Sequence, residues 1–124
     1  MGVVMRVVVY GGRDWDNQAA LDTALDFLHA QHGFTRLIHG GYRGADRQAE
    51  YWADRRGVPV HCFSANWGRY GARAGPLRNQ WMVDVGRPEL AVEFPGGRGT
   101  RDMRRRLEKA GVPVVLASLA VPDV

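Results

Sequence analysis

The sequence of 124 residues is poor in cysteine, in lysine and in long apolar runs, and each shortage excludes a class of protein. Its one cysteine, Cys62, cannot form an internal disulfide and argues against a cysteine-based metal site; we interpret it as an inert core thiol. No apolar run approaches the roughly 20 residues that a membrane-spanning helix needs. Residues 1–6 lack the features of a signal peptide. We therefore expect a cytoplasmic protein without a membrane partner, a metal or a cofactor.

The scarcity of lysine is matched by an excess of arginine. Lys109 is the one lysine among 17 basic residues, and 13 acidic residues leave a net charge of +4. Arginine forms bidentate contacts to phosphate and carboxylate that lysine cannot form, although codon bias in a GC-rich genome explains this composition equally well. The run Arg104–Arg106 lacks interleaved aromatic residues, so we interpret it as a solvated helix face.

Short apolar runs alternate with helical patterns along the whole chain. The runs predict strands at residues 7–10, 37–39, 58–63, 90–94 and 112–116, with helices between them. The first helix is predicted to begin at Asp14 or Asp16 and to end at Gly33. The third is predicted to begin near Pro76, after an ordered loop over residues 64–75. The alternation predicts a single α/β Rossmann-like domain over residues 1–124, with a parallel sheet of about five strands and helices on both faces.

Three glycine-rich turns follow predicted strands, at residues 11–14, 40–46 and 95–100. We expect them to converge on one site, because the carboxyl ends of parallel strands lie at one edge of a sheet. The last turn opens a helix, whose free amides and Thr100 hydroxyl favour a phosphate or carboxylate; Thr100 could also be the N-cap. The predicted ligand-binding residues of the three turns are Gly11, Gly12, Arg13, Gly40, Gly41, Gly44, Pro95, Gly96, Gly97, Gly99 and Thr100.

Polar side chains near the turns are candidates for chemistry. Arg78 and the further predicted ligand contact Asn79 are placed in the first helical turn, where an arginine opposes the helix dipole and so suggests a bound anion. An exposed arginine on a solvated face is the simpler alternative. Asp46 could bind a ribose hydroxyl or cap its helix. Asp14 could act in acid–base chemistry while Trp15 stacks on a base, or this turn could simply be capped, with Trp15 packed on the sheet edge.

The glycine turns and two further motifs together resemble the SLOG superfamily (Smf/DprA and Lonely Guy proteins), and most closely its small YspA-type, cpYpsA-related branch. The resemblance runs in order over almost the whole chain. It is carried by Gly11–Asp14, His39–Gly41, Gly44–Asp46, Asn66–Trp67, Gly75–Pro76, Arg78–Asn79 and Pro95–Thr100. It implies a Rossmann-like fold, a nucleotide-derived ligand and a homodimer. The Lonely Guy members release a free base from a nucleoside monophosphate.

One position departs from the Lonely Guy signature, PGGxGTxxE, because Met103 stands where the glutamate belongs. Arg78 matches the catalytic arginine of that group. The resemblance therefore favours binding of a nucleotide-derived ligand, by a sensor or processing protein. The first alternative is an N-glycosidic hydrolase acting on a nucleoside monophosphate, NAD or an ADP-ribose derivative, in which Arg78 stabilises charge at the sugar.

In that alternative, the carboxylate that replaces the glutamate is Asp102, Asp46 or Asp14, and we predict that Asp14 or Asp46 activates the water. Asp102, beside Met103, lies about a quarter-turn round the helix. The second alternative is single-stranded nucleic-acid binding of the DprA type, which the positive charge allows.

Overall fold

A computed structural model describes residues 2–120 as a five-stranded parallel sheet flanked by helices. The strands are β1 (Arg6–Tyr10), β2 (Arg36–His39), β3 (Val60–Cys62), β4 (Leu90–Glu93) and β5 (Val114–Leu116). The helices are α1 (Gln18–His32), α2 (Ala45–Arg56), α3 (Trp67–Tyr70), α4 (Ala74–Asp84), α5 (Arg98–Lys109) and α6 (Ala117–Ala120), with a 3₁₀ turn at Gly71–Arg73. No helix in this part of the chain is both long enough and apolar enough to cross a bilayer.

The strand order β3-β2-β1-β4-β5 confirms the predicted Rossmann-like fold. β1 is central, because Val8 pairs with Ile38 of β2 on one side and with Ala91 of β4 on the other. The chain first moves outward from β1 to β3 and then crosses to β4 on the opposite side. This reversal separates the carboxyl ends of β1 and β4, which is where ligands bind in open parallel sheets.

Both faces of the central strands are apolar, so helices cover the sheet on both sides. On one face, Leu21 of α1 and Trp52 of α2 belong to the same buried cluster as Val9. On the other face, Met103 of α5 is buried with Val8. The two clusters hold the strands rigidly and leave the strand ends free to carry a site.

The start of α1 differs from the prediction. Its N-cap is Asn17, whose side-chain oxygen accepts the Ala20 amide at 3.0 Å, so the predicted cap at Asp14 or Asp16 is wrong. The preceding turn closes on itself, with the Trp15 amide bonded to the Gly12 carbonyl at 3.2 Å, and the helix begins only after it. The C-cap is Gly33 in the left-handed conformation, as predicted.

The prediction of a loop over residues 64–75 is wrong for most of the segment, because α3 and the 3₁₀ turn occupy it. A four-residue helix is too short to show a helical period, and its signal is instead the Asn66 cap, which accepts the Arg69 amide at 3.0 Å. α4 begins at Ala74, two residues before Pro76. Arg78 therefore lies in the second turn of α4, and the dipole argument from a first-turn position does not apply to it.

Cys62 is exposed, so its interpretation as a core thiol is wrong. It ends β3, which is an edge strand of the sheet and has a neighbour on one side only. No cluster of three or more histidine, cysteine, aspartate or glutamate side chains within residues 2–120 could hold a metal ion.

Candidate ligand-binding cleft

An open cleft of about 1210 Å³ lies over the carboxyl ends of β1 and β4. Its walls are the β1–α1 turn, the β4–α5 turn and the starts of α4 and α5, and four aromatic residues line it: Tyr10, Trp15, Tyr42 and Trp67. The predicted site residues that line it are Gly11, Gly12, Arg13, Asp14, Asp46, Arg78, Asn79, Pro95, Gly96, Gly97, Gly99 and Thr100. Gly40, Gly41 and Gly44 do not line it.

The β4–α5 turn presents the uncapped start of a helix to the cleft. α5 has Gly97 as its N-cap, and no side chain bonds to the amides of its first turn. A Cβ added to Gly97 or Gly99 would meet no atom within 4 Å, so both glycines face open space. Thr100 is the third residue of α5 and not its N-cap. The free amides and the positive end of the helix dipole favour an anion here.

Two glycines in the cleft wall are required by packing between turns and not by a ligand. The Gly12 amide donates to the Pro95 carbonyl at 2.9 Å, which joins the β1–α1 and β4–α5 turns. A Cβ on Gly12 would lie 2.8 Å from that carbonyl oxygen, and a Cβ on Gly96 would lie 2.6 Å from the Gly12 nitrogen. Neither turn could approach the other so closely if it carried a side chain at these positions.

Arg78 is a cation buried at the inner wall of the cleft. The residue is 6% exposed, and within residues 2–120 it forms no salt bridge. Nη1 donates to the Gly40 carbonyl, Nε donates to Asn79 Oδ1 at 3.0 Å, and the guanidinium lies 5.0 Å from the centre of the Tyr42 ring. Burial lowers the pKa of Arg78, and the negative charge of Asp46 raises it in part. The guanidinium nevertheless remains protonated, as arginine does in proteins. Such a buried charge favours an anion from the cleft side.

Asp46 lies beneath the cleft and organises the β2–α2 turn. The residue is 5% exposed, and Oδ2 accepts the amides of Gly40 at 3.1 Å and Tyr42 at 3.3 Å. It does not cap α2, whose N-cap residue Gly44 has no side chain to bond the helix. Burial raises the pKa of Asp46, although the nearby charges of His39 and Arg78 and the two amides oppose the rise.

Gly44 and His39 have structural roles in the same turn. Gly44 has a φ of +81°, and a Cβ on it would lie 2.6 Å from the Arg13 carbonyl oxygen. The backbone that approaches Gly44 is therefore that of the β1–α1 turn. His39 accepts the Gly41 amide at Nδ1, at 2.9 Å, while Nε2 lies 2.7 Å from Glu50. The histidine thus bridges β2 and α2, which is a structural role.

Asp14 lies at the outer rim of the cleft. Its side chain is 88% exposed and approaches Arg43 at 3.3 Å. A carboxylate this exposed is well solvated, and its ion pair with the exposed Arg43 holds it only weakly in position. The neighbouring Trp15 packs on Phe94, with ring centres 5.3 Å apart, which corresponds to the packed alternative for this turn.

Asp102, which the sequence offered as one of three possible hydrolase carboxylates but which was not among the predicted site residues, also lines the cleft. Oδ2 accepts Asn79 Nδ2 at 3.0 Å and Arg106 Nε at 2.8 Å. Burial raises the pKa of Asp102, but hydrogen bonds from Arg106 and Asn79, with the charges of Arg106 and Arg105, outweigh it, so the net pKa is lowered. Met103, at the position of the Lonely Guy glutamate, is buried in the core.

Asn79 connects the buried cation to this carboxylate. Its Oδ1 accepts from Arg78 Nε and its Nδ2 donates to Asp102 Oδ2, each at 3.0 Å. An arginine can only donate and a carboxylate can only accept, so the orientation of the amide is determined. The three side chains form a continuous hydrogen-bonded row along the wall between α4 and α5.

The interpretation of Arg104–Arg106 as a solvated face is incomplete, because the three side chains are partly or largely exposed but each is also paired with a carboxylate. Arg104 pairs with the buried Glu93, which also accepts the Tyr10 hydroxyl at 2.9 Å. Arg106 bonds to Asp102 and donates to Gln80 Oε1 at 2.9 Å. Arg105 pairs with Asp102 but is largely exposed. These arginines are engaged by neighbouring side chains and offer little free charge to a nucleic acid.

The cleft nevertheless has a positive formal charge. Five arginines and three aspartates line it, which leaves a formal charge of +2: Arg13, Arg78, Arg98, Arg101, Arg105, Asp14, Asp46 and Asp102. An anionic ligand would balance this charge, and the low-dielectric wall around Arg78 would strengthen the attraction.

Comparisons with known proteins agree with the motifs on these turns. A family model described as the YspA, cpYpsA-related SLOG family (YAcAr) matches residues 5–70, from the start of the sheet to the end of α3. The Gene 61 protein of Mycobacterium phage D29 is 38% identical over 118 residues, which cover 89% of this chain and 94% of the phage protein. No solved structure gives a significant match.

Proposed function

The chain belongs to the YspA, cpYpsA-related SLOG family, and from this premise we propose that its cleft binds a nucleotide-derived ligand by a phosphate group, as a sensor or processing protein. The observation that carries the proposal is Arg78. A buried guanidinium without a carboxylate partner in the described part of the chain, lining an open cleft, is energetically incomplete. A phosphate oxygen would satisfy it with charge-assisted hydrogen bonds.

The start of α5 supplies the second half of the proposed phosphate site. Its first amides have no side-chain cap, and Gly97 and Gly99 leave the approach to them open. Backbone amides and a helix dipole bind phosphate without adding flexible side chains, while Arg78 of α4 supplies a full charge to the same cleft. The cleft charge of +2 suits one phosphate group.

Concavity favours a small ligand over a nucleic-acid strand. The candidate anion site lies in a cleft at the carboxyl ends of the strands, whereas Arg104, Arg105 and Arg106 of α5 are paired with Glu93 and Asp102. A strand-binding surface would instead need a positively charged groove with successive stacking platforms.

Equilibrium dialysis against nucleoside monophosphates, NAD, ADP-ribose and cyclic nucleotides, read by mass spectrometry, tests the proposal. We expect one ligand class to be retained by the protein, and we expect Arg78→Gln to weaken its binding by about ten-fold or more, since hydrogen bonds to charged groups are worth about 1.5–3 kcal/mol. Arg36→Gln is the matched control, because Arg36 is exposed on β2 and does not line the cleft. Retention of no compound, or equal binding by the Arg78 variant, would contradict the proposal.

Asp102 favours a second candidate function, hydrolysis of the N-glycosidic bond of the bound nucleotide. Its carboxylate is held in the cleft by Asn79, and its lowered pKa keeps it ionised at neutral pH. In this reaction Asp102 would take a proton from water as the water oxygen bonds to C1′ of the sugar. The C1′–N bond breaks, its electron pair leaves with the base, and the base takes up the proton. Asp102 is better placed for this than the exposed Asp14 or the buried Asp46.

The same dialysis distinguishes hydrolysis from binding. The unmodified protein would release free base and sugar phosphate. Asp54→Asn, whose exposed side chain lies outside the cleft, would release as much of both products as the unmodified protein does. They would not accumulate with Asp102→Asn. A ligand that is retained without any product would rule out the hydrolase and leave the binding function.

A further inference from the structure

The phosphate contacts leave one wall of the cleft unused, and that wall is aromatic. Tyr42 and Trp67, here called the aromatic wall, both line the cleft, with ring centres 5.9 Å apart. Trp67 remains 45% exposed. Exposed indole is apolar surface that a planar ligand group can cover, so the wall has the chemistry of a stacking site.

The fold holds Trp67 in this position from two sides. Trp67 is the first residue of α3, and the Asn66 cap fixes the start of that helix. The indole lies against Gly75 of α4, where a Cβ would be only 3.2 Å from the ring. The absence of a side chain at Gly75 thus lets the ring rest on the α4 backbone. A ring supported in this way loses little further conformational freedom when a ligand stacks on it.

The aromatic wall is also connected to the proposed phosphate site. The Arg78 guanidinium lies 5.0 Å from the centre of the Tyr42 ring, and the Tyr42 ring in turn contacts Trp67. Arg78, Tyr42 and Trp67 are therefore successive neighbours. A ligand whose phosphate bonds to Arg78 has an aromatic surface beside it.

Exposure alone does not select Trp67, because Trp81 is equally exposed, at 47%. Trp81 lies on α4 outside the cleft, whereas Trp67 lines it. The two tryptophans are thus matched in residue type and exposure and differ in their position relative to the cleft. This difference makes them a test pair.

Building on the proposed phosphate binding, we propose that Trp67 is the base-stacking residue of the cleft. The ligand class is then a nucleotide that retains its aromatic base, and sugar phosphates without a base are discriminated against. Base–aromatic stacking depends on the π face that all bases share, so Trp67 would select for the presence of a base more than for its identity. Trp67→Ala should weaken nucleotide binding by about ten-fold, within the range measured for one stacked base.

Calorimetric titration with AMP, GMP, CMP, UMP and ribose 5-phosphate tests the inference. We expect at least one nucleotide to bind the unmodified protein about ten-fold or more tightly than ribose 5-phosphate. Trp67→Ala should abolish this preference while leaving ribose 5-phosphate binding unchanged. Trp67→Phe should restore part of it, and Trp81→Ala should preserve it fully.

The outcomes separate the inference from the proposed function. A nucleotide preference that persists in Trp67→Ala would overturn the stacking role and leave phosphate binding intact. If ribose 5-phosphate binds as tightly as every nucleotide, the stacking role is also overturned and phosphate binding remains intact. If none of the five probes binds the unmodified protein, the stacking role in nucleotide binding is overturned, and phosphate binding falls with it only if the dialysis also retains no compound.

Discussion

The three glycine-rich turns look alike in the sequence, but the structure divides them into two groups. The β1–α1 and β4–α5 turns line the cleft with their backbones, because β1 and β4 flank the point where the strand order reverses. The β2–α2 turn lies one strand further away, and its three glycines do not line the cleft. It supports the other two: Gly44 packs under the Arg13 backbone, and the Gly40 carbonyl holds Arg78. In this chain, therefore, the glycines of a strand-end turn line the cleft only where the strand order places that turn at the reversal.

The same distinction applies within a single turn. Gly96 is closed in by the Gly12 backbone, whereas Gly97 and Gly99 face open space. The first is needed to build the cleft, and the other two leave room for whatever enters it. Substitutions can separate these two uses.

The largest expected effect is on stability, from Gly44→Ala and Gly96→Ala. Each introduces a Cβ into neighbouring backbone, and Gly44 also has a positive φ, so we expect Gly44→Ala to lower the free energy of unfolding by about 3 kcal/mol or more. A Cβ added at Gly99 meets no atom within 4 Å, so Gly99→Ala should change the free energy of unfolding by less than about 1 kcal/mol. Urea denaturation of the three variants measures the difference. Equal loss in all three would contradict the division into packing and open glycines.

An intermediate effect is expected on ligand binding, from Gly40→Ala. A Cβ there would lie 2.6 Å from Arg78 Nη1, so it should displace the guanidinium although Gly40 does not line the cleft. We expect the affinity for the nucleotide ligand to fall about ten-fold, with a stability loss of about 1–2 kcal/mol. Gly57→Ala is the control, because Gly57 ends α2 and does not line the cleft. It should leave the affinity for the nucleotide ligand unchanged. Unchanged affinity in Gly40→Ala would show that the third turn does not position Arg78.

The smallest effects concern the pH dependence of stability, where Asp46 and Asp102 should differ in sign. Burial raises the folded-state pKa of Asp46 above its ordinary value of 3.8, so its ionisation destabilises the fold as the pH rises from that value through the raised pKa. The pKa of Asp102 is lowered, so its contribution is present above 3.8 and is lost as the pH falls through the folded-state pKa.

Urea denaturation between about pH 3 and pH 7 measures both slopes. In the unmodified protein, ionisation of Asp46 lowers the stability as the pH rises to neutral, and Asp46→Asn should abolish this decrease. The amide oxygen of the asparagine can still accept hydrogen bonds from the Gly40 and Tyr42 amides. Asp102→Asn should remove a gain of stability over the acid end of the range. Slopes that change in the same direction in the two variants would contradict the assigned pKa directions.

Much of the fold could be predicted from the sequence because its signals are local. Apolar runs such as residues 7–10 and 90–94 predict strands buried on both faces, and Gly33 and Gly57 end helices by their own conformational freedom. The elements that escaped prediction are α3 and α6, of four residues each, which are too short to show a period. The Asn17 cap was missed because several residue types before α1 can cap a helix.

The candidate site was less predictable because its properties come from residues far apart in the chain. The motifs indicated Arg78 and Asn79, but the burial of Arg78 depends on Gly40, which is 38 positions away. The position of Asp102 in the cleft depends on Asn79, 23 positions away. Trp67 was visible as part of a motif, yet its role as a wall depends on Gly75 beneath it and Tyr42 beside it.

The sequence by itself determined the alternation of strands and helices, the three glycine-rich turns and the membership in a family, because periodicity, turn chemistry and motif order can be read along one chain. Only the tertiary structure decided which two turns line the cleft with their glycines, that Arg78 is buried without a carboxylate partner among the described residues, and that Asp102 is hydrogen-bonded at the cleft wall while the side chain of Met103 is buried in the core. The physical reason is that burial and hydrogen bonding depend on distances across the fold, which the strand order sets and local sequence does not.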